Sequence, residues 1–141
     1  MITVSKSTKA EIAKFNYREW VVADNKYYGN HQRWIERNFV FKAEEDGEIV
    51  GNIYGKFGGG ILYIDDLIVA KNKRGLGIGK MLMQKAEEFG LGLKAHKVWL
   101  VTGITWSGAR SFYQGLGYKQ TGEFLNHYKH KDFVIYEKLL I

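Results

Sequence analysis

Between an apolar run ending at Val69 and an amphipathic stretch beginning at Gly79 lies Lys73-Arg-Gly-Leu-Gly-Ile-Gly79, three glycines in five residues. Alternate glycines let a backbone turn tightly with its N–H groups exposed, and the N-terminus of a following helix adds partial positive charge. That combination cradles a phosphate. Two familiar phosphate motifs fail on spacing. A P-loop needs a glycine six residues before its lysine and a Ser or Thr after it, but Arg74 and Met81 stand there around Gly79-Lys80. A dinucleotide fingerprint needs Gly-x-Gly-x-x-Gly, whereas this loop reads Gly75-x-Gly77-x-Gly79 and no first βαβ unit precedes it.

Other reactive residues are few. Asp65 and Asp66 stand side by side just before Val69, and strand alternation sends their side chains to opposite faces. The chain has no cysteine, which excludes disulfides, a thiolate nucleophile, an acyl-cysteine intermediate and thiolate-held zinc. His127 and His130, three apart in a loop, lack the context of a metal site, and Ser107-Gly108 lacks a nucleophile elbow. No metal is expected. The net charge of +6 is uneven: residues 1–70 hold 9 basic and 10 acidic residues, residues 71–141 hold 12 and 5. A highly anionic partner therefore engages the second half.

The elements that position these residues follow from periodicity. At 141 residues with 45% hydrophobic and 26% charged, the chain reads as one domain, 1–141, with no proline-rich linker or repeat. Thr8 and Glu11 have capping-box spacing before Ile12, Phe15 and Trp20, predicting an early helix. Asp24–Asn30 reads as a loop and His31–Asn38 as a second short helix. Strands are expected at Phe39–Glu44 and Ile49–Phe57 around Asp46-Gly47, then at Ile61–Val69 after Gly58-Gly59-Gly60. Met81, Leu82, Ala86 and Phe89 form a helical stripe that Gly90 and Gly92 stop. Val98–Thr102 is a buried strand, Ala109 to Leu116 a helix, and Thr121–Leu125 and Phe133–Leu139 are two final strands. The class is α/β with a mixed sheet. Its Ile61–Thr102 unit is parallel, with a ligand site beyond the strand's carboxyl end. Met1 to Lys6 lacks a signal-peptide core and no apolar run approaches membrane-spanning length, so a soluble, cytoplasmic protein is expected.

Arg74-Gly-Leu-Gly77-Ile-Gly79, five residues after Val69, resembles the acetyl-CoA loop of the GNAT superfamily of N-acetyltransferases. Ala109-Arg-Ser-Phe-Tyr113-Gln-Gly-Leu-Gly117-Tyr118 resembles that family's later segment at the expected separation. The resemblance implies a GNAT-like, mostly antiparallel central sheet with a splayed parallel strand pair and helices on both faces. It implies acetyl-CoA as cofactor, with its diphosphate on Arg74, Gly75, Leu76, Gly77, Ile78, Gly79 and Lys80. Lys71 and Lys73 are near enough for its third phosphate. The backbone of Leu67, Ile68 and Val69 would face the pantetheine arm and supply the oxyanion donor.

Transfer of an acetyl group to an amine needs a base, because an alkylammonium near pKa 10.4 cannot attack, and needs a proton for the departing thiolate. The resemblance assigns that proton to Tyr113. The run Tyr63–Val69 resembles the diamine acetyltransferase branch, which implies Asp65 as a base acting through water, with Asp66 beside it. With no cysteine, attack is direct within a ternary complex. The family pattern breaks twice. Trp106 stands where many members have the Asn that contacts pantetheine, and Lys71 where many have Pro. Trp106 would stack on the cofactor or fill the core.

The acceptor, a primary amine of a small molecule or peptide, is expected to meet Glu19, Trp20, Asp24, Tyr27 and Tyr28, whose rings and carboxylates suit a cation. Two rival readings are a CoA-binding sensor without catalysis and a nucleic-acid module using the basic second half and its aromatics. The second lacks an aromatic recognition run. A homodimer stays open.

Overall fold

The computed structural model describes residues 1–140. Its contacts divide the chain into an N-terminal unit, Met1–Trp34, and a second unit from Ile35 onward.

The N-terminal unit is one helix, α1 (Lys9–Tyr28). Thr8 caps it: its hydroxyl accepts from the Glu11 amide at 3.2 Å, as the capping-box spacing predicts. The loop expected at Asp24–Asn30 is helix through Tyr28, and the chain leaves it only at Gly29, in the left-handed region at φ 82°. Asp24, Asn25 and Lys26 are polar because α1 buries no residue, not because the helix has ended. The helix expected over His31–Asn38 does not form. His31 is held back on α1 by Asp24, at 2.6 Å, and from Glu36 the backbone pairs as a strand edge. Strand pairing with a distant partner outweighs local helix propensity here.

The second unit is a six-stranded sheet in the order β1-β2-β3-β4-β6-β5. β1 (Glu36–Glu45) and β2 (Glu48–Gly58) form the hairpin expected at Asp46-Gly47, where both residues have positive φ. β3 (Ile61–Val69) pairs antiparallel with β2 and parallel with β4 (Lys97–Gly103); β6 (Phe133–Leu139) pairs antiparallel with β4 and with β5 (Lys119–Phe124). The sheet is therefore mixed and mostly antiparallel, with one parallel pair.

α2 (Ile78–Gly92) and α3 (Ser107–Gly115) pack on one face, over a core that includes Ile53, Leu62, Leu82, Met83, Val98, Leu100, Tyr113 and Tyr136. The stripe of α2 is Leu82, Met83, Ala86 and Gly90; Met81, expected within it, is 66% exposed. Gly90 does not stop the helix. It lies inside it, where a Cβ would press on Leu62 at 3.2 Å and Ala95 at 3.3 Å. No helix is long and apolar enough to cross a membrane among the described residues.

Candidate active site

The parallel pair is bonded over only three rungs, Ile61↔Lys97, Leu62↔Val98 and Tyr63↔Trp99. Past that point β3 stays paired with β2 as far as Val69, and β4 stays paired with β6 as far as Gly103. The facing edges of Ile64–Val69 and Leu100–Gly103 thus have no ladder between them. Backbone polar groups exposed in this way will bond an extended ligand that enters the gap.

A bulge shapes the β3 edge of the gap. Register slips between Tyr54/Gly55 of β2 and β3, pairing Tyr54 with Asp66 and Gly55 with Ile64 and leaving Asp65 as the extra residue. The strict alternation expected at Asp65 and Asp66 is broken there, and both carboxylates oppose Tyr54. Leu62 and Ile64 are buried before the bulge, and Leu67 and Val69 pack on the same core after it. The phase has moved by one residue. Gly55 makes the slip feasible, since a Cβ there would strike the Tyr63 carbonyl oxygen and approach Phe39 Cζ at 2.9 Å.

From Val69 the chain passes through Ala70, whose N–H bonds Val50 O at 2.8 Å, and a 3-10 turn at Lys71–Lys73. It then reaches Gly75 and Gly77, at φ 80° and 84°. An L-residue resists that conformation, and a Cβ at either position would meet nothing within 4 Å. The loop backbone therefore faces open space. Met81 N–H reaches back to Gly77 O at 3.0 Å, while the amides of Ile78, Gly79 and Lys80, in the first turn of α2, have no acceptor among the described residues. Three free donors at a helix N-terminus, an open glycine backbone before them and the cations Arg74 and Lys80 beside them fit a diphosphate. Arg74 is also tied to the gap, its Nε donating to Val69 O at 3.1 Å. Lys73 is engaged elsewhere, with Glu45 at 2.6 Å. Lys71 and Arg74 line a cleft of about 280 Å³ with Ile68 and Asn52, whose buried Oδ1 has no partner among the described residues. At the next glycine, Gly79, a Cβ would sit 3.2 Å from Phe112 Cζ, so α2 begins pressed against α3.

Tyr113 is the one buried residue of α3, ringed by Phe112, Tyr118 and Tyr136 at centroid distances of 5.2, 5.9 and 6.3 Å. Burial first, and the Asp66 carboxylate second, push its phenol up to about 12. Asp65 acts on a different phenol: burial and then Asp65 raise Tyr63. The two neighbouring carboxylates are thus divided between two tyrosines, and Asp66 is the one coupled to Tyr113.

One residue that spacing did not single out holds this part of the site. Arg110 donates to Tyr136 Oη at 3.1 Å, to Ile104 O at 2.9 Å and to Gln120 Oε1 at 3.0 Å, fastening α3 to the end of β4 and to β5 and β6. Trp106 stands just before α3, 56% exposed. Its ring covers Gly103, where a Cβ would lie 2.7 Å from Cδ2 and Cε2, and meets Phe133 edge-on at 5.7 Å. It does not fill the core; it walls the far end of β4. Glu19, Trp20, Asp24, Tyr27 and Tyr28 all lie on α1 in the N-terminal unit. Helical spacing puts Trp20, Asp24, Tyr27 and Tyr28 on one stripe; Glu19 pairs with Arg18 at 3.0 Å and Asp24 with His31.

The Acetyltransferase (GNAT) family model matches residues 9–118, from α1 through the glycine loop and α3 to Tyr118. The chain belongs to the GNAT acetyltransferase family. An uncharacterized N-acetyltransferase of Methanocaldococcus jannaschii is 37% identical over 84 residues, 58% of this chain and 53% of that protein, so the chain spans about half the length of this curated relative. Among solved structures, the ribosomal-protein-S18-alanine N-acetyltransferase of Escherichia coli superimposes with a TM-score of 0.67 at 14% identity, covering 98% of this chain and 93% of its own. A candidate streptothricin acetyltransferase of Bacillus anthracis, solved in complex with acetyl coenzyme A, gives 0.68 at 24% identity over 72% of this chain and 63% of its own. These likenesses establish the GNAT fold. The span of the family model takes in the loop and Tyr113 and ends before β5 and β6.

Proposed function

We propose that the protein is an acetyl-CoA-dependent N-acetyltransferase that moves an acetyl group to a primary amine of a small molecule or peptide. The observation that carries this reading is the continuity of two features: the open glycine loop leads through Arg74 and Val69 O into a strand gap that begins at Tyr63–Trp99. A phosphate-bearing head and an extended arm would find donors along one path.

In this reading Arg74, Lys80 and the amides of Gly75 to Lys80 hold the diphosphate, and the free β3 edge at Leu67, Ile68 and Val69 lines the arm. Acetyl-CoA supplies an activated acyl group at the inner end of that path. A backbone N–H near Val69 donates to the oxygen that gains charge as the amine attacks. Tyr113 keeps its proton throughout the neutral range, because burial and Asp66 hold its phenol near 12. It is therefore a standing donor to the departing sulfur and never competes as a base. The amine's proton leaves through water to Asp66 or Asp65, the carboxylates at the bulge. With no cysteine in the chain, no acyl-enzyme forms on sulfur and attack is direct.

The test is thiol release from acetyl-CoA against a panel of amines, with product mass and calorimetry of CoA binding. Amine-dependent release is expected, and intact protein mass should not change with acetyl-CoA alone. Binding heat without transfer to any amine would favour a CoA sensor, and no heat at all would overturn the reading.

A further inference from the structure

We propose that the acceptor is a zwitterion, an ω-amino carboxylate, recognised on the sheet face away from α2 by Lys56, Tyr63 and Trp99 together with Asp65 at the bulge. The inference rests on the acetyl-transfer reading and specifies its substrate class.

Lys56, Tyr63 and Trp99 occupy one rung, Lys56↔Tyr63 across β2 and β3 and Tyr63↔Trp99 across β3 and β4. Their sequence neighbours Phe57, Leu62 and Val98 are buried against the helices, so these three side chains stand on the opposite face. Tyr63 and Trp99 lie 4.4 Å apart at 37°, forming an aromatic floor, and Lys56 Nζ stands 5.8 Å from the Tyr63 ring centroid. This is the last bonded rung before the gap opens. α2 and α3 pack on the other face, so on this face the floor borders the gap where the parallel pairing ends.

The charges around the floor are unspent. Lys97 and Glu137, on the same face, neutralise one another at 3.3 Å. Lys56, Asp65 and Asp66 have no ionic partner among the described residues. Asp65 and Asp66 lie two and three residues along β3 from Tyr63, roughly 7–10 Å at the rise of a strand. No ion pair joins either to Lys56, and their position along β3 places the acidic end at the gap. A ligand that complements this arrangement has its ammonium at the bulge, an apolar chain over the rings and an anionic group at Lys56. The amine end then meets the gap, where acetyl transfer requires it. A diamine of the same length would set its second ammonium against Lys56, a like-charge contact that specificity sites use to reject. An α-amino acid, with its charges only two bonds apart across one carbon, cannot reach both ends.

The experiment compares 6-aminohexanoate with 1,5-diaminopentane at saturating acetyl-CoA, in the wild-type chain and in Lys56→Met and Lys56→Glu. Lys56 is exposed, and equal melting temperatures will confirm intact folding. The wild type should favour the amino carboxylate by on the order of tenfold in kcat/KM. Lys56→Met should raise KM for that substrate while kcat holds, and Lys56→Glu should reverse the preference. Equal or better use of the diamine by the wild type, a preference indifferent to both substitutions, or no transfer to either probe would overturn the proposal. Transfer to other amines in that last case would leave the acetyltransferase reading standing, whereas silence across the whole panel would end both.

Discussion

The carboxylate of Asp66 and the phenol of Tyr113 are electrostatically coupled: burial raises the phenol first, Asp66 raises it further, and together they bring it to about 12. A group so placed holds a proton that a developing thiolate can draw on. Tyr113→Phe removes that donor without opening a cavity, since the ring and its neighbours Phe112, Tyr118 and Tyr136 remain. Steady-state kinetics should show kcat lowered by roughly 10²- to 10⁴-fold, the range for one positioned proton donor, with CoA affinity retained. Asp66→Asn should bring the tyrosinate titration of Tyr113 to lower pH, read by ultraviolet absorbance. Kinetics untouched by the loss of the hydroxyl would remove Tyr113 from the chemistry.

The same phenol gives stability a defined pH dependence. Its folded-state pKa of about 12 exceeds the ordinary 10.0, so the unfolded chain releases this proton first as pH rises. The stabilising contribution is complete below pH 10 and disappears toward about 12. At pH 11 the loss is about 1 kcal/mol, from the difference in proton binding between the two states. Urea unfolding at pH 8 and pH 11 should therefore show Tyr113→Phe losing less stability than wild type by about that amount. An equal loss in both proteins would mean that Tyr113 titrates normally.

Gly77 offers a probe of the loop that leaves the core alone. A side chain there enters open space and accepts a left-handed φ of 84°, which costs about 1–2 kcal/mol. Gly77→Glu should leave the protein folded, with a modestly lower melting temperature, and should weaken acetyl-CoA binding at least ~100-fold by placing a carboxylate where the free amides invite a phosphate. Calorimetry showing affinity within a few-fold of wild type would move the phosphate site elsewhere.

Gly55 tests the bulge. An alanine Cβ there collides with the Tyr63 carbonyl and crowds Phe39, backbone and core at once, so neither neighbour can simply rotate away. Gly55→Ala should cost more than about 3 kcal/mol in urea unfolding, among the large single-residue effects. A loss under 1 kcal/mol would mean that β2 and β3 can re-register without the slip.

The slip was written in the apolar pattern, where the inward positions run Leu62, Ile64 and then Leu67, Val69, a step of three where alternation demands two. Read as one continuous strand, the segment hides that step, and Asp65 and Asp66 fall on opposite faces. The glycine loop, β3 and β6 were legible because each depends on local rules: φ at glycine, alternation, a run of β-branched and aromatic residues. α1 runs on through Asp24–Lys26, where polarity marks solvent as readily as it marks a loop. Arg110 was invisible for another reason. Its partners Ile104, Gln120 and Tyr136 come from three other segments, and no spacing within α3 announces them. The Lys56–Tyr63–Trp99 rung likewise exists only once register joins three strands.

Trp106 covers Gly103 with its indole, and that contact allows the role of the ring to be isolated. An alanine at Gly103 would place a Cβ 2.7 Å from the indole, so Gly103→Ala must displace the ring that Trp106→Ala removes. If the indole forms a wall of the donor's path at the end of β4, each variant should weaken acetyl-CoA binding by a similar factor. The double variant should then be no weaker than either alone, because one displaced ring cannot be lost twice. Calorimetric affinities for the three variants decide the matter. Independent, multiplying losses would show that Gly103 acts through the backbone of β4 instead, and unchanged affinity in Trp106→Ala would leave the indole packing on Phe133 with no part in donor binding.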